Sequence, residues 1–207
     1  MSPKQGKFIV LEGIDGSGKS IQQRKLCKWL REQGYKIVST REPGGTQLGE
    51  SVRKILLSRE SRLYDKSELL LFMAARGQSV HEIMLPAIQA GKIVVSGRYF
   101  FSSLAYQGFA RGLPLNALTE IAMFATGDLI PDLTILVDLD VETALSRIRV
   151  ETFDRIEREA VEFHQKVRSG FLELSENPRW KMKVVDGSQS VDEVHSNIVA
   201  LVKEVLR

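Results

Sequence analysis

The segment Gly13-Ile14-Asp15-Gly16-Ser17-Gly18-Lys19-Ser20 fits the spacing G-x-x-x-x-G-K-[ST]. Glycines at these positions let the backbone curl until several N–H groups point at one anion. A helix that starts there adds the positive end of its dipole. Lys19 is spaced to reach the β- and γ-phosphates of a nucleoside triphosphate, and the Ser20 hydroxyl to ligate Mg²⁺. The loop follows the apolar run Phe8-Ile9-Val10-Leu11 and precedes a helical pattern, the context such a loop requires.

The loop alone does not name a reaction, because GTPases, ATPases and metabolite kinases share it. No base-reading Asn-Lys-x-Asp stretch is present. Cationic and aromatic residues follow at the ends of later apolar runs. Arg41-Glu42-Pro43-Gly44-Gly45-Thr46 is a stiff turn at the end of one such run. Phe72 and Arg76 are spaced i, i+4 and share a helix face, where a ring could stack on a base and a guanidinium donate to a carbonyl. Taken alone, Phe72 reads equally as core and Arg76 as a solvated charge. Arg98, at the end of another run, is placed to clamp a phosphate. Arg147, Arg149 and Arg155 lie in a broken helical pattern over residues 147–158, read as a mobile lid whose arginines could meet charge developing on a migrating phosphoryl group.

Together these segments resemble thymidylate kinase: the loop Gly13–Ser20, the stretch Arg41–Thr46, Phe72 with Arg76, the run Arg98–Gly108 and Asp154-Arg155-Ile156-Glu157, in unchanged order over nearly the whole chain. The resemblance implies phosphoryl transfer from ATP, with Mg²⁺, to thymidine monophosphate (dTMP). It implies that Asp15 approaches the sugar 3′-hydroxyl and the reacting phosphates, and that Phe72 stacks on thymine. It implies that Arg76 bonds the thymine carbonyl and that Arg98, with Arg41 near it, holds the acceptor phosphate. Ser103, Tyr106 and Gln107 are implied to line the base and sugar pocket, Tyr106 disfavouring a ribose 2′-hydroxyl. Because the phosphate loop carries no arginine of its own, the chain is similar to the subgroup whose catalytic arginine comes from the lid. Arg149 and Arg155 are the expected residues, with Arg147 third. The family also implies a homodimer packed through helices.

One position departs from the resemblance. Relatives carry Asp-Arg-Tyr or Asp-Arg-His after the third strand, whereas this chain reads Ser96-Gly97-Arg98-Tyr99. The missing carboxylate helps hold Mg²⁺ and its waters in the family. The alternative reading is therefore a nucleotide-binding protein of the same fold with impaired transfer, Asp15 or Glu12 being the candidates to compensate.

These residues need a scaffold that brings strand ends together. Unbroken β-rich runs occur at 8–11, 37–40, 93–95, 133–138 and 182–185, suited to strands covered on both faces. Helical patterns fill the gaps, one from Ile21 to Gln33 before Gly34, another opened by Asp65-Lys66-Ser67-Glu68, and the last by Ser190-Val191-Asp192-Glu193. The two openings read as capping boxes. The alternation predicts a doubly wound α/β domain, a parallel five-stranded sheet with helices on both faces, as one domain over 1–207.

Composition sets outer bounds. Of 207 residues, 43% are hydrophobic and 27% charged, and the formal net charge is +3 without a Lys/Arg block. That gives no footprint for a nucleic-acid partner. Cys27 is the single cysteine and reads as a small apolar filler, and the three histidines show no metal-ligand spacing. No signal segment or long apolar span is seen, so the expectation is a cytoplasmic protein without a membrane partner.

Overall fold

A computed structural model describes residues 6–149, 151 and 153–207. Met1–Gln5, and Val150 and Thr152 of the expected lid, lie outside the described residues. The chain runs through β1 (Lys7–Glu12), α1 (Lys19–Glu32), β2 (Ile37–Arg41), α2 (Gln47–Leu57) and α3 (Asp65–Ser79). A π-helical segment, Val80–Met84, leads into α4 (Leu85–Gln89) and β3 (Ile93–Gly97). Then come α5 (Phe100–Ser103), a second π-helical segment, Leu104–Ala110, and α6 (Leu115–Thr126). The remainder is β4 (Leu133–Asp138), α7 (Val141–Ser146), α8 (Val161–Glu176), β5 (Met182–Asp186) and α9 (Val191–Leu206).

The sheet has the order β2-β3-β1-β4-β5, and every pairing is parallel. Each expected strand is present. Central β1 shows why the pattern was an unbroken apolar run. Phe8 and Val10 face one core with Tyr99, Phe100, Leu104 and Phe171, while Ile9 and Leu11 face the other with Leu26, Leu30, Ile198 and Val202. Period-2 alternation is hidden when both faces are covered. Each leucine so buried contributes about 1.5–3 kcal/mol.

Neighbouring strands β1 and β3 send their chain to opposite faces: α1 packs in the second core, α5 and the π-helical segment after it in the first. A crevice must open between the carboxyl ends of two such strands, and ligands bind in such crevices.

The helix ends sort the two capping boxes. Ser190 and Glu193 form one, side chain to backbone in both directions, at the start of α9. The other does not form: Tyr64 precedes α3 without a side-chain cap, and Glu68 turns inward as a buried residue. Competition from two distant arginines takes the carboxylate away from the helix end.

Candidate active site

Gly18 enters α1 in a left-handed conformation (φ 95°) with no side-chain cap, and the first turn holds no acidic residue. Ile21 N and Gln22 N donate to the Gly18 carbonyl, so the N–H groups before them are the ones an anion would take. Gly16 is also left-handed (φ 81°), and a Cβ on it would lie 2.0 Å from the Ala144 carbonyl oxygen of α7. The loop is thus pressed against the helix that leads to the lid. Lys19 Nζ donates to the Ile14 carbonyl at 2.8 Å and lies 3.7 Å from Asp15 Oδ1. Burial, with the Arg98 guanidinium nearby, pulls the Lys19 ammonium down to about 8 despite Asp15 and Glu12. The Ser17 hydroxyl is buried with no partner. A phosphate anion would satisfy both groups.

Across the crevice, Glu12 at the end of β1 organises the turn after β3. It accepts from Tyr99 N at 2.8 Å, Ser102 N at 3.2 Å and Ser102 Oγ at 2.7 Å, and is fully buried. Burial raises its carboxyl above the usual carboxylate range, with Arg98 and these hydrogen bonds opposing. This turn holds Arg98 at φ 72°, a conformation rare for a residue with a side chain. Its guanidinium donates to Gly13 O (3.1 Å), Ser102 Oγ (3.0 Å), Asp15 Oδ1 (2.5 Å) and Tyr106 Oη (3.2 Å). Tyr106 Oη in turn donates to Asp15 Oδ2 at 3.0 Å. Asp15 is held well below the usual carboxylate range, the Arg98 and Lys19 charges overcoming the burial that would raise it.

Asp15 stands where three cavities meet. The first is lined among others by Phe72, Ser103, Tyr106, Gln107, Arg98 and Glu42. The second carries Lys19, Ser20, Arg41, Arg53 and Gly97. The third runs along the phosphate loop to Arg147, Gly187 and Val191. The first cavity has the mixed apolar and polar walls of a small-molecule site.

Most expected site residues therefore converge. The loop residues Gly16 to Ser20 line the third cavity, and Phe72, Ser103, Tyr106 and Gln107 line the first. Arg41 reaches the second cavity and pairs with Glu50 at 3.3 Å. Arg76 is neither a solvated charge nor a cavity wall. It is 2% exposed and donates to Glu42 Oε2 (2.5 Å), Ser103 Oγ (3.0 Å) and Tyr99 O (3.1 Å), a layer behind the surface. The lid arginines separate. Arg147 lines the phosphate-loop cavity, Arg149 is exposed, and Arg155 donates to Glu68 and to the Leu56 carbonyl at 3.0 Å, away from the loop.

Four residues escaped the sequence reading. Glu42 and Arg53 line both the first and second cavities, and Arg53 Nη1 donates to Pro43 O at 3.0 Å. Glu68 and Arg111 pair beneath the first cavity. The signal for Glu68 was present: Glu68, Phe72 and Arg76 follow i, i+4, i+8 spacing on one face of α3.

The donor set suits a hard cation. Exposed Ser20 lines both the second and the third cavity. Mg²⁺ takes few protein oxygens when phosphates supply the rest. The carboxylates of Glu12 and Asp15 have both oxygens engaged by protein donors, so the protein ligand that the site offers directly is the Ser20 hydroxyl. Among the described residues no group of three His, Cys, Asp or Glu side chains could hold a metal by itself, and no helix is long and apolar enough to cross a membrane.

Comparisons with known proteins meet this geometry. A family model described as thymidylate kinase matches residues 11–198. The chain is 49% identical over 200 residues to the thymidylate kinase of Symbiobacterium thermophilum, covering 96% of this chain and 94% of that one. It is 44% identical over 193 residues to that of Kosmotoga olearia, covering 93% of each. The crystal structure of thymidylate kinase from Ehrlichia chaffeensis superposes with a TM-score of 0.77 at 33% identity, over 95% of this chain and 98% of that one. With the match spanning both the phosphate loop and the cavity opposite it, the chain belongs to the thymidylate kinase family.

Proposed function

We propose that the protein transfers the γ-phosphoryl group of ATP to dTMP, giving ADP and dTDP. The observation that carries this reading is that Asp15 lines both the phosphate-loop cavity and the cavity walled by Phe72 and Gln107, and pairs there with Arg98. Two nucleotides laid end to end there would bring their phosphates together. An oxygen of the acceptor phosphate then forms a bond to Pγ as the bond from Pγ to the bridging β-oxygen breaks. The acceptor is already an anion, so positioning and charge neutralisation carry the catalysis.

ATP occupies the loop Gly13–Ser20, its β- and γ-phosphates on the backbone amides and Lys19. Ser20 would hold Mg²⁺, which when bound supplies charge neutralisation between the β- and γ-phosphates. Phe72 stacks on the base. Arg98, Arg41 and half-buried Arg53 hold the acceptor phosphate. Asp15 orients Arg98 and approaches the sugar. Ser103, Tyr106 and Gln107 line the sugar and base, with Arg76 supporting Ser103. We assign Arg149 and Arg147 to the migrating group, Arg147 being in the wall of the phosphate-loop cavity. Arg155 braces the lid against Glu68 and must leave that carboxylate to serve as a catalytic arginine.

A homodimer through α3 and α6 is part of the same reading. Leu70 is 56% exposed and Phe124 90% exposed on these two packed helices, apolar side chains that a second copy would cover. Buried, unpaired Cys27 is in keeping with a reducing compartment, and we place the reaction in the cytoplasm.

ADP release measured with ATP and Mg²⁺ across a panel of nucleoside monophosphates tests the reading, with dTMP expected to give the highest kcat/KM. A different acceptor at the top of the panel would sink it. A second reading, nucleotide binding with crippled transfer, rests on Gly97. It is favoured if dTMP and ATP both bind in a titration while no ADP appears.

A further inference from the structure

The Glu68 carboxylate is 1% exposed and accepts four hydrogen bonds. Oε1 takes Gln107 Nε2 at 2.7 Å and Arg111 Nε at 2.8 Å. Oε2 takes Arg111 Nη2 at 3.1 Å and Arg155 Nη2. Arg111 is itself fixed by Glu159 at 2.9 Å and by the Phe163 ring, 5.0 Å from its guanidinium carbon. Two guanidiniums on one buried carboxylate keep it ionised, and its carboxyl sits below the usual range despite burial.

An ionised carboxylate can only accept. The group that faces it from Gln107 must therefore be the amide nitrogen, since the flipped amide would set oxygen against oxygen in a dry site. That leaves Gln107 Oε1 as the amide atom for a ligand. This oxygen is buried and has no hydrogen-bond partner, and Gln107, 1% exposed, lines the cavity with Phe72 and Tyr106. Leaving a buried acceptor unpaired costs about 1–3 kcal/mol, so the cavity favours an occupant that brings an N–H.

We propose that Glu68 is a specificity-determining positioning residue: by fixing the Gln107 amide with its oxygen free, it selects an acceptor base whose edge donates a ring N–H, an imide of the thymine or uracil type, and rejects one that offers a bare ring nitrogen, as cytosine does. The proposal rests on the assignment of the first cavity to the acceptor nucleotide. Glu68 acts through Gln107 and touches no reacting atom. The sequence signal is the i, i+4 spacing of Glu68 to Phe72, which sets the positioning residue one turn from the stacking ring.

The test is the ratio of kcat/KM for dTMP to that for dCMP in Glu68→Gln, in Gln107→Leu and in the double variant. In Glu68→Gln the new amide oxygen at the Oε2 position keeps Arg111 Nη2 and Arg155, whereas its NH₂ at the Oε1 position gives up the Arg111 Nε bond and faces Gln107, which then turns its own NH₂ to the cavity. The ratio is expected to fall by about tenfold or more, with the KM for ATP unchanged. In the Gln107→Leu background the same substitution is expected to leave the ratio where Gln107→Leu put it. A ratio that does not move in folded Glu68→Gln overturns the proposal, as does an equal fall in both backgrounds. Should Glu68→Gln not fold, the Gln107 side-chain ¹⁵N–¹H resonances of the wild-type protein, identified by their loss in Gln107→Leu, decide. A downfield amide proton that persists when dTMP is added supports the arrangement, and its disappearance overturns it. Wild-type protein inactive on dTMP would instead sink the functional reading, and the Gln107 resonance would still judge this one.

Discussion

Arg98 Nη2 lies 2.5 Å from Asp15 Oδ1, and this pair ties the turn after β3 to the phosphate loop. The same guanidinium reaches Gly13 O, Ser102 Oγ and Tyr106 Oη, so its planar fork is what holds the donor and acceptor walls in register. A lysine keeps the charge but cannot make these bonds at once. Arg98→Lys is expected to lower kcat/KM for dTMP by about 10²-fold or more while nucleotide affinity at the loop changes little. Steady-state kinetics beside an ADP titration checks this. A loss below threefold would mean that charge alone suffices at this position.

How much of this was legible in the residues follows from how local each feature is. The phosphate loop and the five strands were legible, because a glycine-lysine spacing and an unbroken β-branched run are contiguous in sequence. Ser103, Tyr106 and Gln107 were legible through the resemblance alone, and Phe72 also through its i, i+4 spacing to Arg76. The π-helical stretch Leu104–Ala110 breaks the period that could have shown a shared face. Glu68 was misread as a cap because a buried ion-pair acceptor and a capping glutamate look alike from neighbouring residues. Its partners Arg111 and Arg155 are 43 and 87 positions away. The pairing of Arg76 with Glu42, 34 positions away, had no local signal either. Pairings across such distances leave no periodic trace.

Gly97 lies at the end of β3 with ordinary backbone angles, so a side chain is not forbidden there. A Cβ would come 2.6 Å from Gln23 Oε1, the movable end of a side chain whose Nε2 donates to Thr40 O at 2.7 Å and Val95 O at 3.2 Å. Gly97→Asp therefore displaces the Gln23 amide and puts a carboxylate on the cavity that holds Ser20 and Lys19. Turnover at saturating dTMP is expected to rise several-fold, and more so in Gly97→Asp with Gln23→Ala, which clears the space. Turnover unchanged or lowered in both variants would show that this position is not where catalytic power is missing.

Glu42 sits against Arg76 with Oε1 buried and unpaired, and burial pushes its carboxyl up to about 7, Arg76 opposing and Glu12 adding to the rise. An acid whose folded value exceeds its unfolded value binds more protons when folded. Its contribution is fullest below the model-peptide value of 4.5 and is lost as pH rises toward about 7. Unfolding free energy should fall across that window with a slope of up to about 1.4 kcal/mol per pH unit from this group. Glu42→Gln keeps an acceptor for Arg76 and removes the titration. Urea unfolding from pH 4.5 to 8 should show a flatter profile in the variant, and parallel profiles would refute the assignment.

The contact between Gly16 and α7 distinguishes two glycines of one loop. Both are left-handed, so an alanine at either pays about 1–2 kcal/mol of backbone strain. At Gly18 a Cβ meets nothing within 4 Å, whereas at Gly16 it would lie 2.0 Å from the Ala144 carbonyl oxygen. That carbonyl also accepts from Arg147 N at 3.2 Å, so it cannot withdraw without loosening the start of the lid. Gly18→Ala is expected to lower the Tm by about 2–8 °C, in line with strain alone. Gly16→Ala should lower it by at least about twice as much and should also weaken transfer, because the phosphate loop and the segment bearing Arg147 share that contact. Equal shifts in calorimetry would mean that loop and helix part freely, and the lid would then have to be positioned by its contacts with Glu68, Leu56, Leu57 and Arg59.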